Sequence, residues 1–237
     1  MFDLDQGGAG STAVRHAVPR DLAGLVAGAW SQKRGGAHAW RIVPDTCSHL
    51  VFWRSETQVS LSVVGARRTF VDIDSSSRDL TVGVRLCVGV LPVLMRDRAN
   101  LFTDRGIALS VPQVLARASV REVLAGILGW VRERAAGEVD ARLRAYLAGE
   151  STLPARSRQR LFQRDVGIGA CEFRRIDRLH RAIRLRQVGH AWARIASDAG
   201  YSDQPHLARE FQALVGESPT AFLGRGRNLQ DAGRSSP

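Results

Sequence analysis

The sequence predicts an α+β fold, with a β-rich sandwich- or barrel-like domain first, then a linking helix, and an all-α domain last. Three observations indicate this order. Residues 13–87 contain short runs of Val, Leu, Phe and Thr separated by turn-forming clusters, as successive strands do. Residues 139–223 instead show the apolar spacing that is typical of helices. Within that helical part, two segments repeat each other 49 residues apart, from Arg160 to Arg209.

Residues 1–118 are predicted to form the β-rich domain. Its strands are expected at Trp40–Val43, His49–Arg54, Gln58–Val64, Arg67–Ile73 and Leu80–Cys87. Clusters such as Ser75-Ser76-Ser77 separate these runs and favour turns between them. Five or six short strands in succession are typical of a sandwich or a small barrel.

Helices are predicted from residue 91 onward. Two short ones are expected at Leu91–Met95 and Pro112–Ala116. Residues 119–137 are predicted to form the linking helix, since apolar residues recur there at helical spacing. Residues 138–224 form the predicted all-α domain, and the polar residues 225–237 are expected to be a disordered tail.

The charge of the chain points to a polyanionic partner. The net charge is +11, and residues 151–237 hold 15 Arg against 8 Asp and Glu, which is +7 of it. A basic C-terminal part favours nucleic-acid binding. The alternative is a biased genomic base composition, because Lys33 is the only lysine and arginine is used throughout.

The remaining composition predicts a cytoplasmic protein with no membrane partner. No apolar run approaches the roughly 18 residues of a membrane span. Met1–Ser11 lacks the basic and apolar regions of a secretory signal. Cys47, Cys87 and Cys171 are odd in number and show no CxxC spacing, which predicts free thiols in a reducing compartment.

The repeat matches at five positions in each copy. The first copy has Arg160, Phe162, Val166, Gly167 and Phe173, and the second has Arg209, Phe211, Val215, Gly216 and Phe222. In each copy a short helix bearing Arg leads into Val-Gly and then a Phe. A period of this length indicates a repeat fold or a duplicated module.

The second copy has the pattern of a helix-turn-helix unit. Ile195 and Ala199 belong to the apolar stripe of a first helix, and Gly200 allows a turn that needs positive φ. Asp203 is a good N-cap for a second helix. That helix would bury Leu207, Phe211 and Leu214. Its opposite edge carries the candidate DNA-contacting residues Gln204, Pro205, His206, Arg209 and Gln212. Arg and Gln can each make bidentate contacts to bases in the major groove.

The first copy is predicted to be a less regular helix-turn-helix unit. Its helices are expected at Arg142–Ala148 and Ala155–Arg164, joined by a turn at Thr152–Pro154 that lacks Gly. The residues expected to face inward on the first of these helices are Leu143, Tyr146 and Leu147. The outward candidates on the second are Arg156, Ser157, Gln159, Arg160 and Gln163. Arg158 stands where the second copy has Leu207, so either the unit is distorted or Arg158 snorkels.

A connecting helix is predicted between the two copies. Its apolar stripe is Phe173, Ile176, Leu179 and Ile183. Its remaining surface carries Arg174, Arg175, Arg178, Arg181, Arg184 and Arg186. A solvated face is the interpretation for most of these arginines, with one or two near the helix N-terminus in reach of phosphates.

Residues 140–223 resemble the DNA-binding domain of AraC/XylS-type transcriptional regulators. GYSDQPHLAREFQALVGESPTAF at Gly200–Phe222 is similar to the second helix-turn-helix signature of that family, and RSRQRLFQRDVGIG at Arg156–Gly169 to its first recognition helix. The resemblance implies seven helices in two helix-turn-helix units, which enter successive major-groove segments. It implies base contacts from Arg156, Gln159, Arg160, Gln204, His206 and Arg209. Pro154 and Pro205 depart from the polar residues usual in the family.

The N-terminal part has a resemblance of its own. RIVPDTCSHLVF at Arg41–Phe52 and VGVRLCVGVLPVLM at Val82–Met95 look like an uncharacterised β-rich domain often found ahead of this DNA-binding domain. By analogy we expect a sensor or dimerisation domain, and analogy of fold does not identify a ligand.

The sequence therefore predicts a bacterial, sequence-specific transcription regulator that binds double-stranded DNA and is not an enzyme. RNA polymerase, a small-molecule effector and a second copy of the chain are further expected partners. No cofactor is expected, and no metal site, because His38, Cys47 and His49 find no fourth ligand. One alternative is a small-molecule-binding or catalytic barrel whose basic domain tethers it non-specifically to DNA. Another is a regulator that needs no effector.

Overall fold

The computed structural model describes residues 13–33, 39–74, 77–150 and 152–222. The strands are β1 Val14–His16, β2 Val26–Lys33, β3 Ala39–Ile42, β4 His49–Arg54, β5 Val59–Val64, β6 Val71–Asp74, β7 Leu80–Leu86 and β8 Gly106–Leu109. The helices are α1 Leu91–Met95, α2 Val120–Arg134, α3 Ala141–Leu147, α4 Ala155–Asp165, α5 Ala170–Gln187, α6 Trp192–Ala199 and α7 Gln204–Val215. Short 3₁₀ turns occur at Arg20–Leu22, Ala99–Leu101 and Gln113–Ala116. The predicted tail and His38 lie outside the described residues.

The described strands form two antiparallel sheets in the N-terminal part. The larger has the order β1-β2-β7-β4-β5-β8, and the smaller is the ribbon β3-β6. The larger sheet is open, with β1 and β8 at its edges, and does not close into a barrel. The helices from α3 to α7 follow without a further strand among the described residues. The predicted fold class, a β-rich part followed by an all-α part, is confirmed.

Helix α2 covers one face of the larger sheet. Val84 on the central strand β7 lies opposite Ala29 of β2 and Leu50 of β4, and all three are buried. Side chains of α2 complete this cluster: Val123, Ile127 and Val131. A capping box between Ser119 and Glu122 fixes where the helix begins. The helix predicted to link the two domains therefore packs on the N-terminal one.

The five strands predicted from sequence correspond to β3 to β7, and the structure adds β1, β2 and β8. The segment expected to form a strand over Arg67–Ile73 becomes extended only at Val71, because the residues before it turn toward the helical domain. The short helix expected at Pro112–Ala116 is a 3₁₀ turn.

A buried ionic cluster lies where the N-terminal domain meets α5. The Asp45 carboxylate is 2.5 Å from Nη2 of Arg85, 2.8 Å from Nε2 of His49, and accepts the Cys47 amide at 3.0 Å. Burial favours the neutral acid, but the hydrogen bond from His49 and the charges of His49 and Arg85 hold the pKa of Asp45 below its usual range. Beside it, Nε2 of His180 on α5 donates to the carbonyl oxygen of Pro44 at 2.7 Å.

Acid should destabilise the chain through His180. Burial lowers the pKa of this imidazole, although the charge of Asp45 opposes the shift. The unfolded chain therefore takes up a proton below about pH 6.5, while the folded chain resists it. The stability tied to this group is present above that pH and is lost as the pH falls toward the folded-state pKa.

We expect His180→Gln, whose amide can still donate to Pro44, to flatten the decline of the urea midpoint between about pH 7 and about pH 5. Midpoints near pH 8, where histidine is neutral in both states, serve as the control for altered packing. Parallel declines in the wild type and the variant would contradict this role.

Candidate nucleic-acid interface

Helices α6 and α7, with the turn between them, form the second helix pair. Gly200 ends α6 with φ of 87°, and the Tyr201 amide closes the turn on the Ala196 carbonyl at 2.8 Å. The Asp203 carboxylate accepts the His206 amide at 2.6 Å and so caps α7, with Pro205 in the first turn. This is the turn and cap that the sequence predicts.

The inward face of this pair is fully packed. Ile195, Ala196, Ala199 and Leu207 are buried with Tyr201 and with Ala182 of α5. Phe211 and Leu214 join a second cluster with Leu179 and Ile183 of α5 and with Val43 of the N-terminal domain. The predicted apolar stripe of α7 is confirmed, and it orients the opposite edge of the helix outward.

That outward edge presents most of the predicted contact residues. Gln204, Pro205, Arg209 and Gln212 are exposed. His206 is only half-buried: its Nδ1 lies 3.0 Å from the Ser202 hydroxyl, and its ring meets Tyr201 edge to face at 5.4 Å. The imidazole therefore has a local structural contact, and its base contact stays a prediction.

Glu210 ties this recognition-type helix to α5, a contact that the sequence pattern did not indicate. Its side chain is only 9% exposed and lies 3.0 Å from Nε of Arg175 and 2.9 Å from Nη2 of Arg178. Arg178 also lies over the Tyr201 ring at 5.4 Å. One carboxylate between two guanidinium groups fixes how α7 rotates about its own axis against α5.

Helices α3 and α4 form the first helix pair, with a longer connection. The connection begins before the turn expected at Thr152–Pro154: Gly149, two residues after the end of α3, takes φ of 78°, and the Glu150 amide closes on the Ala145 carbonyl at 2.9 Å. Pro154 precedes α4 and, as expected, supplies no side-chain cap. The expected inward position of Leu147 is also wrong, because this side chain is 41% exposed beyond the buried Leu143.

The outward edge of α4 carries all five predicted residues. Arg156, Ser157, Gln159, Arg160 and Gln163 are exposed. The Gln159 side chain has less room to move than the other four, because it packs against Gly169 at the start of α5. A Cβ on Gly169 would lie 2.8 Å from Nε2 of Gln159. Of the two alternatives for Arg158, the structure favours snorkelling: Nη1 donates to the Leu153 carbonyl at 3.4 Å, with the guanidinium 5.9 Å from the Tyr146 ring.

The basic surface of α5 is only in part a solvated face. Arg174 and Arg181 are exposed, whereas Arg175 and Arg178 hold Glu210 as described. Arg186 donates to the His190 carbonyl at 2.9 Å and covers the Trp192 ring. Several arginines that the pattern assigned to solvent or phosphate therefore hold helices together.

Comparison with known families matches the two parts of the chain separately. A model described as "Helix-turn-helix domain" matches residues 147–225. One described as "Domain of unknown function (DUF6597)" matches residues 15–108. No curated protein matches the chain. Among the described residues, no helix is long and apolar enough to cross a membrane.

Solved structures similar to the chain include several of ToxT from Vibrio cholerae. One is 10% identical, with a TM-score of 0.43, covering 91% of this chain and 98% of that chain. A second, bound to (E)-4-(8-methylnaphthalen-1-yl)but-3-enoic acid, is 10% identical with a TM-score of 0.44, covering 91% and 99%. A third, with unsaturated fatty acid bound, is 11% identical with a TM-score of 0.42, covering 84% and 94%.

The helix-turn-helix match over residues 147–225 supports a DNA-binding regulatory protein. More particularly, the chain carries an AraC-type helix-turn-helix domain at its C-terminus behind an N-terminal domain of the DUF6597 family. The resemblance seen in the sequence is thereby confirmed, while the individual base-contacting residues stay predictions.

Glu210→Gln should destabilise the chain by about 1–2 kcal/mol, because it leaves two partly buried guanidinium groups without their shared carboxylate. Urea unfolding followed by circular dichroism measures this. Asp177→Asn is the matched control, since it removes a pair with Arg181 within α5 that joins no other helix, and it should cost about 0.5 kcal/mol or less. Equal losses in the two variants would show that Glu210 does not hold α7.

Proposed function

We propose that the protein is a sequence-specific transcription regulator that reads two successive major-groove segments. The exposed edge of α7 is the observation that carries the proposal. Its helix is capped by Asp203 and held by Glu210, and Arg209 projects from it with no ion pair among the described residues. A fixed helix with a free guanidinium is what bidentate recognition of guanine needs.

The edge of α4 supports a second contact. Its exposed Arg156 and Arg160 occupy the first turns of the helix, as Arg209 does on α7. We assign base reading to these three arginines. Gln159, Gln204 and His206 would add direct or water-bridged contacts, and Ser157, Gln163, Pro205 and Gln212 would border them.

We also propose that the protein acts in the bacterial cytoplasm. Its proposed partners are RNA polymerase, a small-molecule effector and a second copy of the chain. For an effector, the N-terminal domain offers a surface cavity of about 480 Å³. Lys33, Arg54 and Asp79 line it beside the start of α2. Its size would suit a small molecule.

The competing function is a binding or catalytic N-terminal domain that the basic domain merely tethers to DNA. Duplexes selected by the full chain from a random pool distinguish the two. At about 50 mM and about 200 mM salt, a regulator should bind its selected duplex at least about a thousandfold more tightly than random duplexes. A ratio of the two affinities near one at both salt concentrations would refute the regulator. The non-specific tether would then be the remaining function.

Arg209→Ala should weaken binding of the selected duplex by about 1–3 kcal/mol and relax the preference at one base position. Binding to duplexes varied at each position measures this. Arg194→Ala on α6 is the matched control, because that side chain pairs with Asp198 at 3.2 Å and lies outside the proposed edge. If Arg209→Ala weakened all sequences equally, the residue would contact phosphate and not a base.

A further inference from the structure

The two copies of the repeat share a Val-Gly step whose purpose the DNA-reading edges do not explain. Gly167 follows α4 with φ of 95°, and Gly216 follows α7 with φ of 81°. Each glycine lies seven residues after the arginine of its copy, Arg160 or Arg209. At 1.5 Å per residue this places it about 10 Å along the helix from that arginine, away from the proposed DNA edge.

The N-terminal domain covers the first of these glycines. The Thr103 hydroxyl donates to the Gly167 carbonyl at 2.7 Å. A Cβ on Gly167 would lie 2.6 Å from that hydroxyl oxygen and 2.9 Å from the carbonyl oxygen of Ala99. Only a glycine allows the segment carrying Thr103 to approach the end of α4 this closely.

The same domain covers the second glycine in the same way. A Cβ on Gly216 would lie 2.5 Å from the Phe70 ring, and the Phe70 amide donates to the Leu214 carbonyl at 3.1 Å. The Arg41 guanidinium lies over the Phe70 ring at 4.3 Å and donates to the Val215 carbonyl at 3.4 Å. The end of α7 is therefore held by a ring, a backbone hydrogen bond and a guanidinium.

The two covering segments are bonded to each other. The Arg68 amide donates to the Asp104 carboxylate at 2.8 Å, and the Asp104 amide donates to the Ala66 carbonyl at 3.0 Å. The Arg68 guanidinium adds an ion pair with Asp104 at 2.5 Å. A continuous path thus runs from Gly167 through Thr103, Asp104, Arg68 and Phe70 to Gly216. We call residues 66–70 and 99–104 the brace.

We infer that the brace fixes the orientation of the two recognition-type helices relative to each other, with Phe70 and Thr103 as its positioning residues. The contacts lie at the C-terminal ends of α4 and α7, so they leave the outward edges open to DNA. The brace therefore acts on which spacing of two DNA segments the protein accepts, and does not block binding. This consequence for DNA rests on the proposed function; the orientation itself does not.

The orientation is tested on the full chain without DNA. Spin labels are placed at Cys residues introduced at the exposed positions Gln163 and Gln212, in a background with Cys87→Ser and Cys171→Ser. Pulsed electron paramagnetic resonance should give one narrow distribution of the distance between the two labels in the parent. Thr103→Val, which removes one hydroxyl, and Phe70→Ala should each broaden or shift it.

The controls are matched by substitution. Thr69→Val changes an exposed threonine outside the contact with Gly167, and Val114→Ala trims an apolar side chain that is 76% exposed. Both should keep the parent distribution. Circular dichroism checks folding, and if Phe70→Ala does not fold, Thr103→Val decides alone. An unchanged distribution in Thr103→Val, and in Phe70→Ala if it folds, overturns the inference.

A DNA-binding experiment tests whether the brace affects the accepted spacing of the two DNA segments. One base pair inserted between the two contacted segments of the selected duplex rotates and separates them. The insertion should weaken binding by the parent about tenfold or more, and by Thr103→Val and Phe70→Ala about threefold or less. An equal penalty in parent and variants overturns the link between brace and spacing. A parent that prefers no sequence refutes the proposed function, while the distance measurement still decides whether the brace orients the helices.

Discussion

The arrangement of the whole molecule depends on the buried carboxylate of Asp45. It draws together Arg85 from the central strand β7, His49 from β4 and the segment that carries Val43 and Pro44. A charge removed from water is tolerated only when its hydrogen-bonding capacity is filled, so the geometry around it is restrictive. Since Pro44 accepts from His180 of α5, that restriction extends into the helical domain.

The outward edges of the two helix pairs are oriented by different contacts. In the second pair, a short turn with a left-handed glycine and an aspartate cap aims α7, and Glu210 sets its rotation. In the first pair, the connection is longer and α4 starts without a side-chain cap. Its outward edge is aimed mainly by burial of Leu161 and Phe162 and by the N-terminal domain. The first edge therefore depends on tertiary contact more than the second does.

Local patterns predicted what local forces determine. Strands β3 to β7 and the helices from α2 to α7 follow from β-branched runs and from apolar residues at helical spacing. Strand β2 was missed because Gly28 and polar residues interrupt its alternation, and β1 and β8 because they are short edge strands. The left-handed turn at Gly149 was missed because the turn was assigned to Thr152–Pro154, which lies after it in the chain. No spacing could reveal that Glu210 meets α5, since the partners are 35 and 32 residues apart.

Val43 couples the unfolding of the two domains. It belongs to the N-terminal half of the chain, yet it is buried in the same apolar cluster as Leu179, Phe211 and Phe222. Ala66 is likewise enclosed among Phe162 and Val166. Neither half can unfold without exposing apolar surface of the other, so melting should be one cooperative event and not two. A helical domain cut free of its partner would carry that uncovered surface into solution, where it favours self-association.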